Sequence, residues 1–158
     1  MEIESLQLGR YGVAGRSGTT AATIDHCYGA LFNPHATKDI FVILATYAKI
    51  TGSQTTYAQR TSTRGTVGST VTPDIDNDFD RLLAPISGAV LDLAAYSVQP
   101  TRQGPDCFRF INAQSNAGVI HELWFGDLGL RIPAGTGLGV FQGTAAAGQC
   151  DLTFIWDE

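Results

Sequence analysis

This sequence predicts an all-β fold, an antiparallel β-sandwich of the jelly-roll type with about eight strands, on three observations. Apolar and polar residues alternate in short runs, most clearly at Cys107–Ile111, Ile120–Phe125 and Leu152–Trp156. Such alternation buries one face of a strand and wets the other. Turn signals separate the runs at roughly 8–12-residue intervals, the spacing of sandwiches and barrels. Glycine (18 residues) and threonine are abundant and strong helix formers are few, a balance that favours strands and turns over helices.

Residues 1–20 are small and polar, with Gly9, Gly12, Gly15 and Gly18 at three-residue spacing. The run is too short and too poor in proline for a collagen-like segment. It reads as an N-terminal arm, ordered by a neighbour, ahead of a jelly-roll domain over 21–158. The arm's apolar residues, Ile3, Leu6, Leu8, Tyr11 and Val13, are the candidate partner-binding set.

Thr23–Leu31 reads as a first strand, ended by Asn33-Pro34, because the residue before proline is pushed out of the helical region. Lys38–Ile50 is the strongest strand. Ile40, Val42 and Leu44 are expected on one face and Phe41, Ile43 and Ala45 on the other. Apolar residues on both faces imply a central strand or one covered by a neighbouring subunit. Thr56–Thr61 is a short strand, followed by a long loop that runs through Asp74-Ile75-Asp76-Asn77-Asp78-Phe79-Asp80. Gly88–Val98 fits a strand or one short helix. Phe108–Ile111, Val119–Phe125 and Leu138–Phe141 are strands, the last entered through the Pro133–Gly137 turn. In the final strand Cys150, Leu152, Phe154 and Trp156 share one face. A strand running to the end of an ordered chain has to be paired inside a sheet.

Composition narrows the function classes. The net charge is −5, and the eight Arg and two Lys are scattered, unlike a nucleic-acid footprint with its clustered basic residues. No apolar run approaches the roughly 20 residues of a membrane-spanning helix. Met1-Glu2-Ile3-Glu4 lacks the basic and apolar regions of a signal peptide. Cys27, Cys107 and Cys150 are odd in number and widely spaced. Reduced, mostly buried thiols fit synthesis in a cytoplasm, and the spacing does not fit zinc.

Catalytic and metal patterns are thin. Asp74, Asp76, Asp78 and Asp80 form the one cluster suited to a hard cation, but the glycine and distal glutamate of an EF-hand are missing. His26, His35 and His121 show no HxH or HExxH spacing. His121 and Glu122, adjacent on a strand, point to opposite faces. No Gly-x-Ser-x-Gly elbow exists, and Gly135-x-Gly137-x-Gly139 leads into a strand rather than a helix, unlike a nucleotide loop. The chain is therefore read as non-enzymatic, with no cofactor. Trp124 and Phe125, like Phe108 and Phe110 against Arg109, are too many aromatic faces for one core. A covering loop and a subunit contact remain equal explanations.

Three segments resemble a group of small jelly-roll virion proteins of tailed bacteriophages. They are Ala30-Leu31-Phe32-Asn33-Pro34 with Lys38-Asp39-Ile40-Phe41-Val42; Arg60-x-x-x-Arg64-Gly65-Thr66-x-Gly68-Ser69-Thr70-x-Thr72-Pro73; and Ile132-Pro133-x-Gly135-x-Gly137-Leu138 with the closing Leu152–Glu158. Their order along residues 30–158 carries the likeness more than any one of them. The resemblance implies a capsid decoration (cement) protein, a homotrimer bound to the major capsid protein on the virion surface, which would be made in the host cytoplasm. Two other readings stand beside it: a tail or head-fibre module that binds a host receptor or carbohydrate, and a small cupin-like β-enzyme.

Overall fold

β-Branched and aromatic residues at every second position, broken by Gly, Pro and Asn, leave this chain few alternatives to strands. The computed structural model describes residues 11–20, 23–49, 55–76, 87–93, 96–111, 120–144 and 148–158. They form twelve strands: β1 Tyr11–Thr20, β2 Cys27–Phe32, β3 Ile40–Lys49, β4 Thr55–Thr61, β5 Ser69–Val71, β6 Asp74–Asp76, β7 Val90–Leu93, β8 Arg102–Ile111, β9 Ile120–Trp124, β10 Leu130–Ile132, β11 Gly137–Gln142 and β12 Gly148–Asp157. All their pairings are antiparallel. The first sheet runs β10-β3-β12-β1-β6, with β9 also on β3; the second runs β5-β7-β2-β11-β4-β8. The two pack face to face as a β-sandwich. Strands expected from the alternation are present, and three of the additional ones, β5, β6 and β10, are only three residues long.

The core lies between the sheets. Cys150, Leu152, Phe154 and Trp156 of β12 are all buried, with the alternation expected of them. They meet Tyr28 and Leu31 of β2, Leu91 of β7, and Leu138 and Val140 of β11. Tyr47 of β3 reaches across the sandwich, and its hydroxyl bonds Thr56 Oγ1 of β4 at 2.9 Å. A buried hydroxyl needs such a partner.

The arm expected over 1–20 must be shortened. Residues 11–20 are β1, paired along all ten positions with β12 and at Tyr11–Val13 with β6. The glycines there serve close packing rather than freedom of the chain. A Cβ on Gly12 would lie 2.1 Å from the Trp156 ring, and one on Gly18 would lie 1.8 Å from the Tyr28 carbonyl oxygen of the opposing sheet. Glycine is the residue that lets another backbone or a large ring come this near. Residues 1–10, with Ile3, Leu6 and Leu8, lie outside the described residues.

Three further expectations are refined. Strict alternation over Ile40–Ala45 is broken by a bulge: Ile155 opposes Leu44 while Trp156 opposes Val42, so Ile43 is the extra residue. A bulge shifts the phase of everything after it. Ile40 and Val42 face inward, then Ala45 and Tyr47 do, and Leu44 is turned outward. The loop expected through the acidic run contains β6 at Asp74–Asp76, and Asp78 and Asp80 lie outside the described residues. The ambiguity over Gly88–Val98 resolves to a strand at Val90–Leu93.

Candidate functional site

The outer faces of the two sheets are finished differently. On the second sheet the chain covers itself. Cys27 and Ala30 of β2, Tyr57 of β4 and Phe141 of β11 form a second small core beneath Tyr96. Tyr57 and Phe141 stack at 5.6 Å, and Arg109 lies over the Tyr57 ring at 5.0 Å. Phe108 packs inward against the main core, with Arg109 exposed on the other side. Burial raises the Cys27 thiol to about 12, which keeps it neutral and unreactive.

The outer face of the first sheet has no such cover among the described residues. Register places Val13 beside Ile155, Ile155 beside Leu44, and Leu44 beside Trp124. This is one apolar row across four strands. Val13 is 39% exposed and Trp124 55% exposed. Phe41 stands beside the row and is exposed too; Ile120, opposite Ala48, is exposed one row beyond Thr46 and Glu122, and Leu128 stands out from the β9–β10 turn. The flanking rows pair Gly15, Thr153, Thr46 and Glu122 on one side, and Tyr11, Asp157, Phe41 and Arg131, polar apart from Phe41, on the other. Scattered single apolar residues on a surface are ordinary; a contiguous row with a tryptophan at its end makes this face the candidate contact surface.

Of the five residues expected to bind a partner, Val13 is therefore found on this face, and Tyr11 is placed by register at its edge. Trp124, Leu44, Ile155 and Phe41 complete it; the surplus of aromatic residues signals Trp124, and the apolar residues on both faces of Ile40–Ala45 signal Phe41. Ile155 and Leu44 gave less warning, because the β3 bulge decides which way Leu44 points.

Apart from this face, the described residues form an open cleft of about 730 Å³ lined by Thr23–His26, Gln59 and Gln99–Arg102. The backbone builds it by a tight turn at Ile24-Asp25, where Asp25 N–H donates to the Gln142 carbonyl at 2.7 Å and Gln142 N–H to that of His26 at 2.8 Å. Asp25 has φ = 67°, the one non-glycine residue with positive φ among those described. Its carboxylate accepts from the Tyr57 hydroxyl at 2.5 Å and pairs with Arg102 at 3.1 Å. Arg102 also donates to that hydroxyl at 2.6 Å. Burial, then the Asp25 carboxylate, pushes the Tyr57 hydroxyl well above its ordinary range, so it stays protonated and holds Asp25. Nothing in the sequence pattern joins Asp25, Gln59, Gln99 and Arg102, and the strand expected over Thr23–Leu31 begins only at Cys27, with Asp25 and His26 in the turn before it.

The histidines occupy separate places. His26 lines the cleft. His35 Nδ1 accepts the N–H groups of Thr37 and Lys38 at 3.0 and 2.8 Å, closing the turn after Asn33-Pro34. His121 stacks on Tyr47 at 5.5 Å, while Glu122 beside it is exposed, the opposite facing expected of the pair. Among the described residues no three His, Cys, Asp or Glu side chains converge. Comparisons with protein-family models, curated proteins and solved structures find no match to this chain.

Proposed function

We propose that this chain is a structural protein of a tailed-bacteriophage virion, a homotrimeric jelly-roll decoration protein that binds the major capsid protein on the head surface. The observation that carries this reading is the row Val13–Ile155–Leu44–Trp124 on the outer face of the first sheet. That face is the surface through which copies associate with one another. Residues 1–10, which bring Ile3, Leu6 and Leu8, are assigned to the shell. A protein that binds the assembled shell and not its separate subunits stabilises the shell by mass action, and repeated symmetric copies add avidity.

Light scattering and sedimentation with empty heads test this. The expected particle has three times the 16.8 kDa mass of the chain and co-sediments with heads, and Trp124→Glu returns it to a monomer with its melting temperature retained. A wild-type monomer at micromolar concentration, or a protein that stays in the supernatant, overturns the reading.

A second reading, a tail or head-fibre module, is favoured by the open polar cleft at Asp25. Electron microscopy of the native particle separates the two by where the copies sit.

A further inference from the structure

We propose that the cleft between the 23–26 turn, β4 and the 99–102 segment is a binding site for a neutral pyranose sugar, such as the terminal unit of a glycan. The site is distinct from the apolar row and holds wherever on a particle the protein resides.

Four observations carry the assignment. The cleft, at about 730 Å³, is within the range of small-ligand sites. Its polar side chains are held from behind and keep hydrogen-bonding capacity in front. Gln99 Oε1 accepts the Cys27 N–H at 2.8 Å, leaving the amide NH2. Gln59 Nε2 donates to the Gly104 carbonyl, leaving Oε1 as acceptor. Arg102 uses two of its N–H groups on Tyr57 and Asp25, and a guanidinium carries five. Side chains fixed in this way lose little freedom when a ligand arrives.

The electrostatics select the ligand class. Arg102 is paired with Asp25, so the cleft is lined by one cation and one anion and has no uncompensated charge for a phosphate or sulfate. A flat aromatic ligand finds little to stack on, because Tyr57 lies between Phe141 and Arg109 and His26 is the single aromatic ring on the lining. A pyranose instead offers hydroxyls that each donate and accept, matching adjacent amide, guanidinium and carboxylate groups. Its C–H face fits the apolar part of the lining, which is chiefly Ile24, 53% exposed, with the buried Pro100 behind.

The backbone at Asp25 is the fourth. A β-carbon at φ = 67° costs free energy, and such strain concentrates where a side chain has to be presented to a ligand. Here it brings the Asp25 carboxylate and the His26 ring to the same rim.

Saturation-transfer NMR and calorimetry with the methyl glycosides of glucose, galactose, mannose and N-acetylglucosamine test the proposal, with inorganic phosphate as the competing probe. At least one glycoside is expected to bind in the millimolar range or tighter. Gln59→Ala and Gln99→Glu, the second keeping an acceptor for the Cys27 N–H while losing the amide donors, are expected to weaken it about tenfold, the effect of one lost hydrogen bond to a ligand. Failure of all four glycosides to bind overturns the proposal. So does binding that both glutamine variants leave unchanged, or a site that takes phosphate in preference to every sugar.

Discussion

Arg64 closes a two-point ion pair on the fully buried carboxylate of Asp92, Nε to Oδ2 at 2.6 Å and the terminal nitrogen to Oδ1 at 2.7 Å. Thr70 donates to the same carboxylate at 2.7 Å, and Tyr96 donates to the Asp92 carbonyl at 3.2 Å. One residue of β7 thus ties down both stretches of chain that lie beside the second sheet. Arg64→Ala would strand a buried carboxylate, and removing one partner of a buried pair costs about 3 kcal/mol or more. Arg64 is itself 39% exposed, so the lower end of that cost is expected. Urea unfolding should show the midpoint falling with the slope unchanged; an unmoved midpoint would mean water already satisfies Asp92.

The glycines of β1 predict a sharp contrast. Gly18→Ala drives a methyl into the Tyr28 backbone, and Gly12→Ala drives one into the Trp156 ring. Each is expected to cost about 3 kcal/mol or more, since a packed core does not absorb an added carbon. Trp156→Ala is expected to cost about 3–5 kcal/mol by the cavity it leaves. Gly15 faces outward, where a Cβ would meet the rotatable Thr153 hydroxyl and come within 3.2 Å of the Leu152 carbonyl oxygen, so Gly15→Ala should cost less than Gly12→Ala or Gly18→Ala. Equal melting temperatures for the three glycine-to-alanine variants would refute this account of β1.

Deletions locate the true boundary of the arm. Removal of residues 1–10 leaves every described strand pairing in place and is expected to preserve a cooperative melt. Removal of residues 1–20 takes β1 from between β12 and β6 and uncovers Trp156, so no cooperative transition should remain. Near-ultraviolet circular dichroism distinguishes the cases, and a folded protein starting at residue 21 would contradict the central place of β1.

Acid should loosen the corner where β10 meets β3. Arg131 at 2.6 Å, then the Ala134 N–H at 3.0 Å, hold the Asp39 carboxyl below its ordinary range. A carboxyl lowered in the folded state adds stability above its unfolded pKa, about 3.9, and that contribution is lost as the pH falls through the lowered value. Asp39→Asn is therefore expected to lose less stability than wild type below about pH 4. Melting curves that shift in parallel across that range would remove Asp39 from the acid response.

Local pattern determined the strand-rich class, the inward face of Cys150–Trp156, the Asn33-Pro34 break and the opposed facing of His121 and Glu122. Each follows from alternation or turn chemistry within a few residues, which the sequence displays directly. Only the tertiary structure decided that Gly12 and Gly18 belong to a central strand. A glycine needed for flexibility and one needed for close approach look the same until the Trp156 ring and the Tyr28 backbone are in place. The bulge at Ile43 likewise turns Leu44 outward, where alternation alone had put it with Val42. The cleft gathers Asp25, Gln59, Gln99 and Arg102 from separate strands and loops, so no spacing announces it. The fate of the surplus aromatics was also tertiary: Phe108 and Phe125 pack against the main core, while Trp124 stays exposed. Whether an apolar side chain is covered depends on what crosses above it, and that is set by contacts distant in sequence.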